Sequence, residues 1–82
     1  MDRNKTSIVQ ALQWATHTTQ QNGIGKPRLD AEVLLTYCTN RTREDLYANS
    51  SHFLADKEWE NYIICIERRA QREPAAYITG RK

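Results

Sequence analysis

Two histidines, two cysteines and a pair of adjacent serines are the side chains in these 82 residues best suited to hold a metal or attack an electrophile. Their spacing argues against both. His17 and His52 have no partner at the close intervals of a zinc site, so a surface or capping role is expected for each. Cys38 and Cys65 give no metal signal and only a weak disulfide signal. Both fall in apolar helical stretches and read as small buried hydrophobes in a reducing cytosol. Ser50 and Ser51 lack the neighbouring base that activates a hydroxyl. Gly23, Gly25 and Gly80 make neither a phosphate loop nor a dinucleotide fingerprint. The acids stand at helix starts and on solvent faces, where the helix dipole accounts for them. No catalytic residue, cofactor-binding residue or metal ligand is assigned.

Recognition is the chemistry that remains. Arg68, Arg69 and Arg72 form a basic edge late in the chain, either a partner surface or cations complementing a helix C-terminus. From residue 67 onward, Arg68, Arg69, Arg72, Arg81 and Lys82 stand against Glu67 and Glu73, a surplus of three positive charges. The whole chain carries only +2, so the remainder is near neutral and nothing demands nucleic acid. Trp14 and Trp59 have the faces to stack on bases or anchor a partner. Trp59 lies on the main apolar stripe of its segment and is expected in the core, while Trp14 lies off its stripe and is left open.

The elements that must position these groups are helices. In the first segment Ile8, Ala11, Leu12 and Ala15 recur at amphipathic spacing, capped by Thr6 or Ser7 and stopped at Asn22-Gly23. Pro27 opens a second helix whose apolar face is read as Leu29, Val33, Leu34, Tyr37 and Cys38, with Asp30 and Glu32 meeting the dipole and a stop near Asn40. A short third helix follows Thr42, anchored by Leu46 and Tyr47. Phe53 and Leu54 feed the core, and Asp56 is expected to cap the fourth helix. Trp59, Tyr62, Ile63, Ile66 and Ala70 give that helix the clearest period in the chain, running to about Arg72. Glu73-Pro74 restarts the backbone, and Pro74 to Thr79 is expected to add a turn or two of helix ending at Gly80. No segment alternates long enough for a strand. The expectation is all-α, a small bundle of four to five helices.

Composition bounds the class. Apolar residues are 39% and charged residues 27% of the chain, ordinary for a folded domain and too apolar for disorder. There is room for one core, and no apolar run approaches the roughly 20 residues that span a bilayer. The start, Met1 to Lys5, reads as the lead into a helix and not as a secretion signal, so a cytoplasmic location is expected and the three glycosylation sequons are taken as chance.

Three landmarks carry a family resemblance. Pro27-Arg28-Leu29-Asp30-Ala31-Glu32-Val33-Leu34-Leu35 resembles the early helix of the N-terminal domain of HemK/PrmC-type release-factor glutamine methyltransferases. Arg43 followed by Leu46 is similar to that family's next landmark. Arg68-Arg69-Ala70 with Glu73-Pro74-Ala75-Ala76-Tyr77-Ile78-Thr79-Gly80 is similar to its most specific stretch in this region. Two residues depart from the pattern: Asn40 and Arg72 stand where glycine is frequent, and Arg72 is expected to extend the fourth helix.

The resemblance implies a helical domain joined to a Rossmann-like domain that binds S-adenosylmethionine. An Asn-Pro-Pro-Tyr motif in that second domain would position the glutamine of a Gly-Gly-Gln loop in a class 1 peptide chain release factor. No such motif occurs in this chain, so no catalysis is expected of it alone. Residues 1–72 are expected to form the bundle, with 73–82 as a short terminal helix and the start of the linker to that catalytic domain. Arg68, Arg69 and Arg72 are then candidates for the release-factor surface, and Glu73, Pro74, Tyr77, Thr79 and Gly80 for the domain junction. The implied partners are the release factor and the chain's own catalytic domain, with no membrane and no nucleic acid. A stand-alone helical adaptor or nucleic-acid module is the alternative. A third possibility is a domain that mainly shields or positions the catalytic half.

Overall fold

The computed structural model describes residues 5–80, so Arg81, Lys82 and the first four residues, with the asparagine of the first sequon and most of the expected lead-in, lie outside it. Among the described residues the chain is a small all-α bundle: α1 (Ile8–Gln21), α2 (Pro27–Thr39), α3 (Arg43–Ala48), α4 (Asp56–Ala70) and α5 (Ala75–Thr79).

Capping chemistry sets the boundaries. Ser7 begins α1 with a reciprocal box: its hydroxyl accepts from the Gln10 N–H at 3.2 Å and the Gln10 side chain accepts from the Ser7 N–H at 3.0 Å. Gly23 ends the helix region with φ +77°. Pro27 takes the first position of α2, and Asn40 closes it in the left-handed region at φ 57°. Thr42 caps α3 by accepting from the Asp45 N–H. For α4 the expected cap is displaced by one residue. Ala55 holds the cap position, its N–H donates to the Glu58 carboxylate at 3.0 Å, and Asp56 becomes the first helical residue. Asp56 still meets the dipole there, and Glu58 supplies the capping oxygen instead.

The end of α4 also differs from expectation. The helix stops at Ala70, and Arg72 stands beyond it at φ 72°. The Glu73 N–H reaches the Arg68 carbonyl at 3.1 Å and the Arg72 N–H reaches the Arg69 carbonyl at 2.9 Å. That pattern is a Schellman stop with arginine in the place glycine usually takes. Arg72 therefore ends the helix and does not extend it.

The core gathers Ile8, Leu12, Leu34, Leu35, Leu46, Tyr62 and Ile66, all essentially without solvent contact. Tyr62 also donates its hydroxyl to the Ala31 carbonyl at 2.8 Å, tying α4 to α2. On α2 the buried stripe is Ala31, Leu34 and Leu35 with Cys38 beside it, while Leu29, Val33 and Tyr37 remain exposed. The face is rotated from expectation because α1 and α4 both press on α2, with Ala31 fully buried among them. Leu54 enters the core, but Phe53 is 59% exposed, its backbone held instead by an antiparallel bridge to Ser7. Trp14 and Trp59 meet edge to face at 5.2 Å, both half-buried over Tyr62.

Candidate functional site

The end of α4, the turn at Glu73-Pro74 and α5 make one continuous edge, and the three arginines meet there in different circumstances. Arg68 lies in the open and forks onto Glu73, with Nε to Oε1 at 2.9 Å and Nη2 on Oε2. That contact holds the Glu73 carboxyl below its ordinary value. Arg69 turns inward. Its Nε donates to Asp30 at 2.9 Å and its Nη1 to the Glu73 carbonyl at 3.3 Å, with Arg69 and Asp30 side chains 21% and 15% exposed. Arg72 reaches back to the Asn22 carbonyl at 3.1 Å and so braces the end of α1. Each arginine of the expected basic edge thus has an acceptor within the chain, and only Arg68 combines an ionic partner with an open position.

The junction candidates divide as sharply. Pro74 precedes α5 and accepts from the Tyr77 and Ile78 N–H groups, and the Thr79 hydroxyl turns back to the Ala75 carbonyl at 3.2 Å. Gly80 ends the helix at φ +74°, a conformation glycine adopts without penalty. Ile78 is buried against α2 and α4, whereas Tyr77 next to it is 73% exposed. α5 therefore presents one anchored face and one free aromatic.

A second constellation went unread in the sequence. Glu32 is 3% exposed and lies between α2 and α3. Arg28 donates to it at 3.1 Å, Arg43 at 2.7 Å, and the Tyr47 hydroxyl also donates to it while accepting from Arg28. Burial alone would raise this carboxyl, but the Tyr47, Arg28 and Arg43 donors together hold it below the usual glutamate value of 4.5. The i, i+4 spacing of Arg28 and Glu32 was a visible signal. The closing partners come from α3, which no local pattern could supply.

The described residues hold no group of three or more His, Cys, Asp or Glu placed to bind a metal. Among them no helix is long and apolar enough to cross a membrane. The described residues also form no strand–loop–helix cradle of the kind that binds dinucleotide-type cofactors.

Similarity to known proteins decides the family. The PrmC N-terminal domain model matches residues 10–80. The chain belongs to that family. As a PrmC N-terminal domain it is 35% identical over 79 residues to a release factor glutamine methyltransferase of Shewanella oneidensis, covering 96% of this chain and 27% of that protein. It is 40% identical over 76 residues to a bifunctional methyltransferase of Rickettsia typhi, covering 93% of this chain and 15% of the relative. A release factor glutamine methyltransferase of Moorella thermoacetica is 37% identical over 74 residues, with 90% and 26% covered. The chain thus spans about a quarter or less of these curated relatives. No solved structure matches it. Within the PrmC N-terminal domain match lie the whole α4–α5 edge and the Glu32 network.

Proposed function

We propose that the chain is the substrate-recognition domain of an S-adenosylmethionine-dependent methyltransferase acting on the glutamine of the Gly-Gly-Gln motif in class 1 peptide chain release factors. The observation that carries this reading is the match over nearly the whole chain to relatives named release factor glutamine methyltransferases. The cofactor and the reacting groups belong to a following domain, and this chain contributes binding energy remote from the reacting atoms, which orients them. Arg68 is the partner-facing cation of the edge. Glu73, Pro74, Tyr77, Thr79 and Gly80 lead into the catalytic domain, with Tyr77 as the apolar contact for it. Arg69 and Arg72 support the edge from within. With Arg69 and Arg72 turned to acceptors inside the chain, the edge keeps few cations for a surface that tracks phosphates.

The test is Arg68→Glu in the full-length methyltransferase. Arg68 is the position to reverse because Arg69 is tied to half-buried Asp30 and its reversal would disturb the fold. The expected outcome is a KM for release factor raised about threefold to tenfold with kcat nearly unchanged, the signature of a lost rim charge contact. An unchanged KM with intact folding removes Arg68 from the recognition surface.

A further inference from the structure

Cys38 on α2 and Cys65 on α4 lie outside the Glu32 network and make no hydrogen bond to the residues of the edge. Both are free thiols, and their sulfurs lie 3.5 Å apart. A disulfide needs about 2.05 Å between sulfurs, so the two must close by roughly 1.5 Å. They line an open cavity of about 490 Å³ with Tyr37, Asn61, Ile64 and Arg68, which gives a small reagent a route to both sulfurs. The two thiols differ. The hydrogen bond between the sulfurs, in which either can donate, with Arg68 near Cys65, lowers the Cys65 thiol and raises the Cys38 thiol. One proton shared across that contact favours a thiolate on one sulfur, with Cys65 beside Arg68 the better placed to carry it.

We propose that Cys38 and Cys65 form a reversible thiol–disulfide site that a hydroperoxide oxidises. The Cys65 thiolate attacks the terminal oxygen of the hydroperoxide: an S–O bond forms, the O–O bond breaks, and alkoxide leaves (hydroxide when the oxidant is hydrogen peroxide). The Cys38 sulfur then attacks the Cys65 sulfenic sulfur. The S–S bond forms, the S–O bond breaks, and the departing hydroxyl takes the Cys38 proton to leave as water. Two electrons pass from the sulfur pair to the peroxide, and a dithiol reductant returns them. In a reducing compartment such a pair is transient, which suits a sensor better than a structural staple. The cross-link ties α2 to α4 in the cavity that Arg68 also lines.

The experiment exposes the reduced chain to hydrogen peroxide and follows intact mass under non-reducing conditions, with maleimide counting of free thiols. The expected product is a monomer lighter by two hydrogen atoms, both thiols lost together and both restored by dithiothreitol. Its melting temperature rises by roughly 10 °C or more, because the bond closes a long loop. Cys38→Ser is expected to halt at a sulfenic acid on Cys65 that dimedone traps. Added oxygen atoms on the wild-type chain without a cross-link would overturn the proposal, as would dimers linked between chains or thiols that survive peroxide. These outcomes are read on the wild-type chain, so the proposal is decided even if the serine variant fails to fold.

Discussion

Glu32 keeps a negative charge in a place that water scarcely reaches, and its neighbours make that tolerable. Arg28, Arg43 and Tyr47 satisfy both carboxylate oxygens, so removing the charge leaves several donors without their acceptor. Glu32→Gln is expected to cost about 1–3 kcal/mol of folding stability, read as a lower midpoint in urea. The pH dependence follows from the direction of its shift. A carboxyl lowered on folding contributes its stability above the unfolded value near 4.5 and loses it as pH falls through the lower folded value. The acid limb of the stability curve should therefore flatten in Glu32→Gln, and an unchanged limb would show that other carboxylates control acid unfolding. At this scale the sequence was a partial guide. It exposed the residue types of the late basic edge, but it could not show that Arg69 points inward to Asp30, 39 residues away, while Arg68 stays open. Such pairings depend on packing between helices, which the local pattern does not contain.

At the level of elements, punctuation was more legible than orientation. Ser7, Gly23, Pro27, Asn40, Thr42 and Gly80 act where their chemistry predicts, because caps and left-handed stops depend on a few adjacent residues. The facing of α2 was not legible. Leu29 and Val33 are as apolar as Leu34 and Leu35, and only the positions of α1 and α4 decide which pair is covered. Arg72 shows a local rule broken with partial compensation. A side chain in the left-handed region costs about 1 kcal/mol, and the bond from Arg72 to Asn22 offsets part of it. Arg72→Gly and Arg72→Ala both remove that bond, but only glycine relieves the backbone. The glycine variant is expected to be more stable than the alanine variant by about 1 kcal/mol, measured by thermal or urea unfolding. Equal stabilities would mean that the turn after α4 is not strained. Gly23 is tied to the same contact, since a Cβ there would fall 2.7 Å from the Arg72 guanidinium.

For the whole molecule, the five helices of the described residues enclose one core and leave the α4–α5 edge as the place where an ionic pair and an exposed tyrosine coincide. Membership in the PrmC N-terminal domain family gives that edge its proposed meaning: one side toward a release factor, the other toward a catalytic domain. The fold class was legible from helical periodicity throughout the chain, whereas a docking surface has no comparable periodic signature. The most direct measurement is a titration of the isotope-labelled chain with an unlabelled class 1 release factor, followed by amide chemical shifts. The expected result is a set of shifts concentrated at Arg68, at its ionic partner Glu73 and at their immediate neighbours on α4, with the Glu32 network undisturbed. An unmoved spectrum at high release-factor concentration, under conditions where the full-length methyltransferase binds, would contradict recognition by this domain.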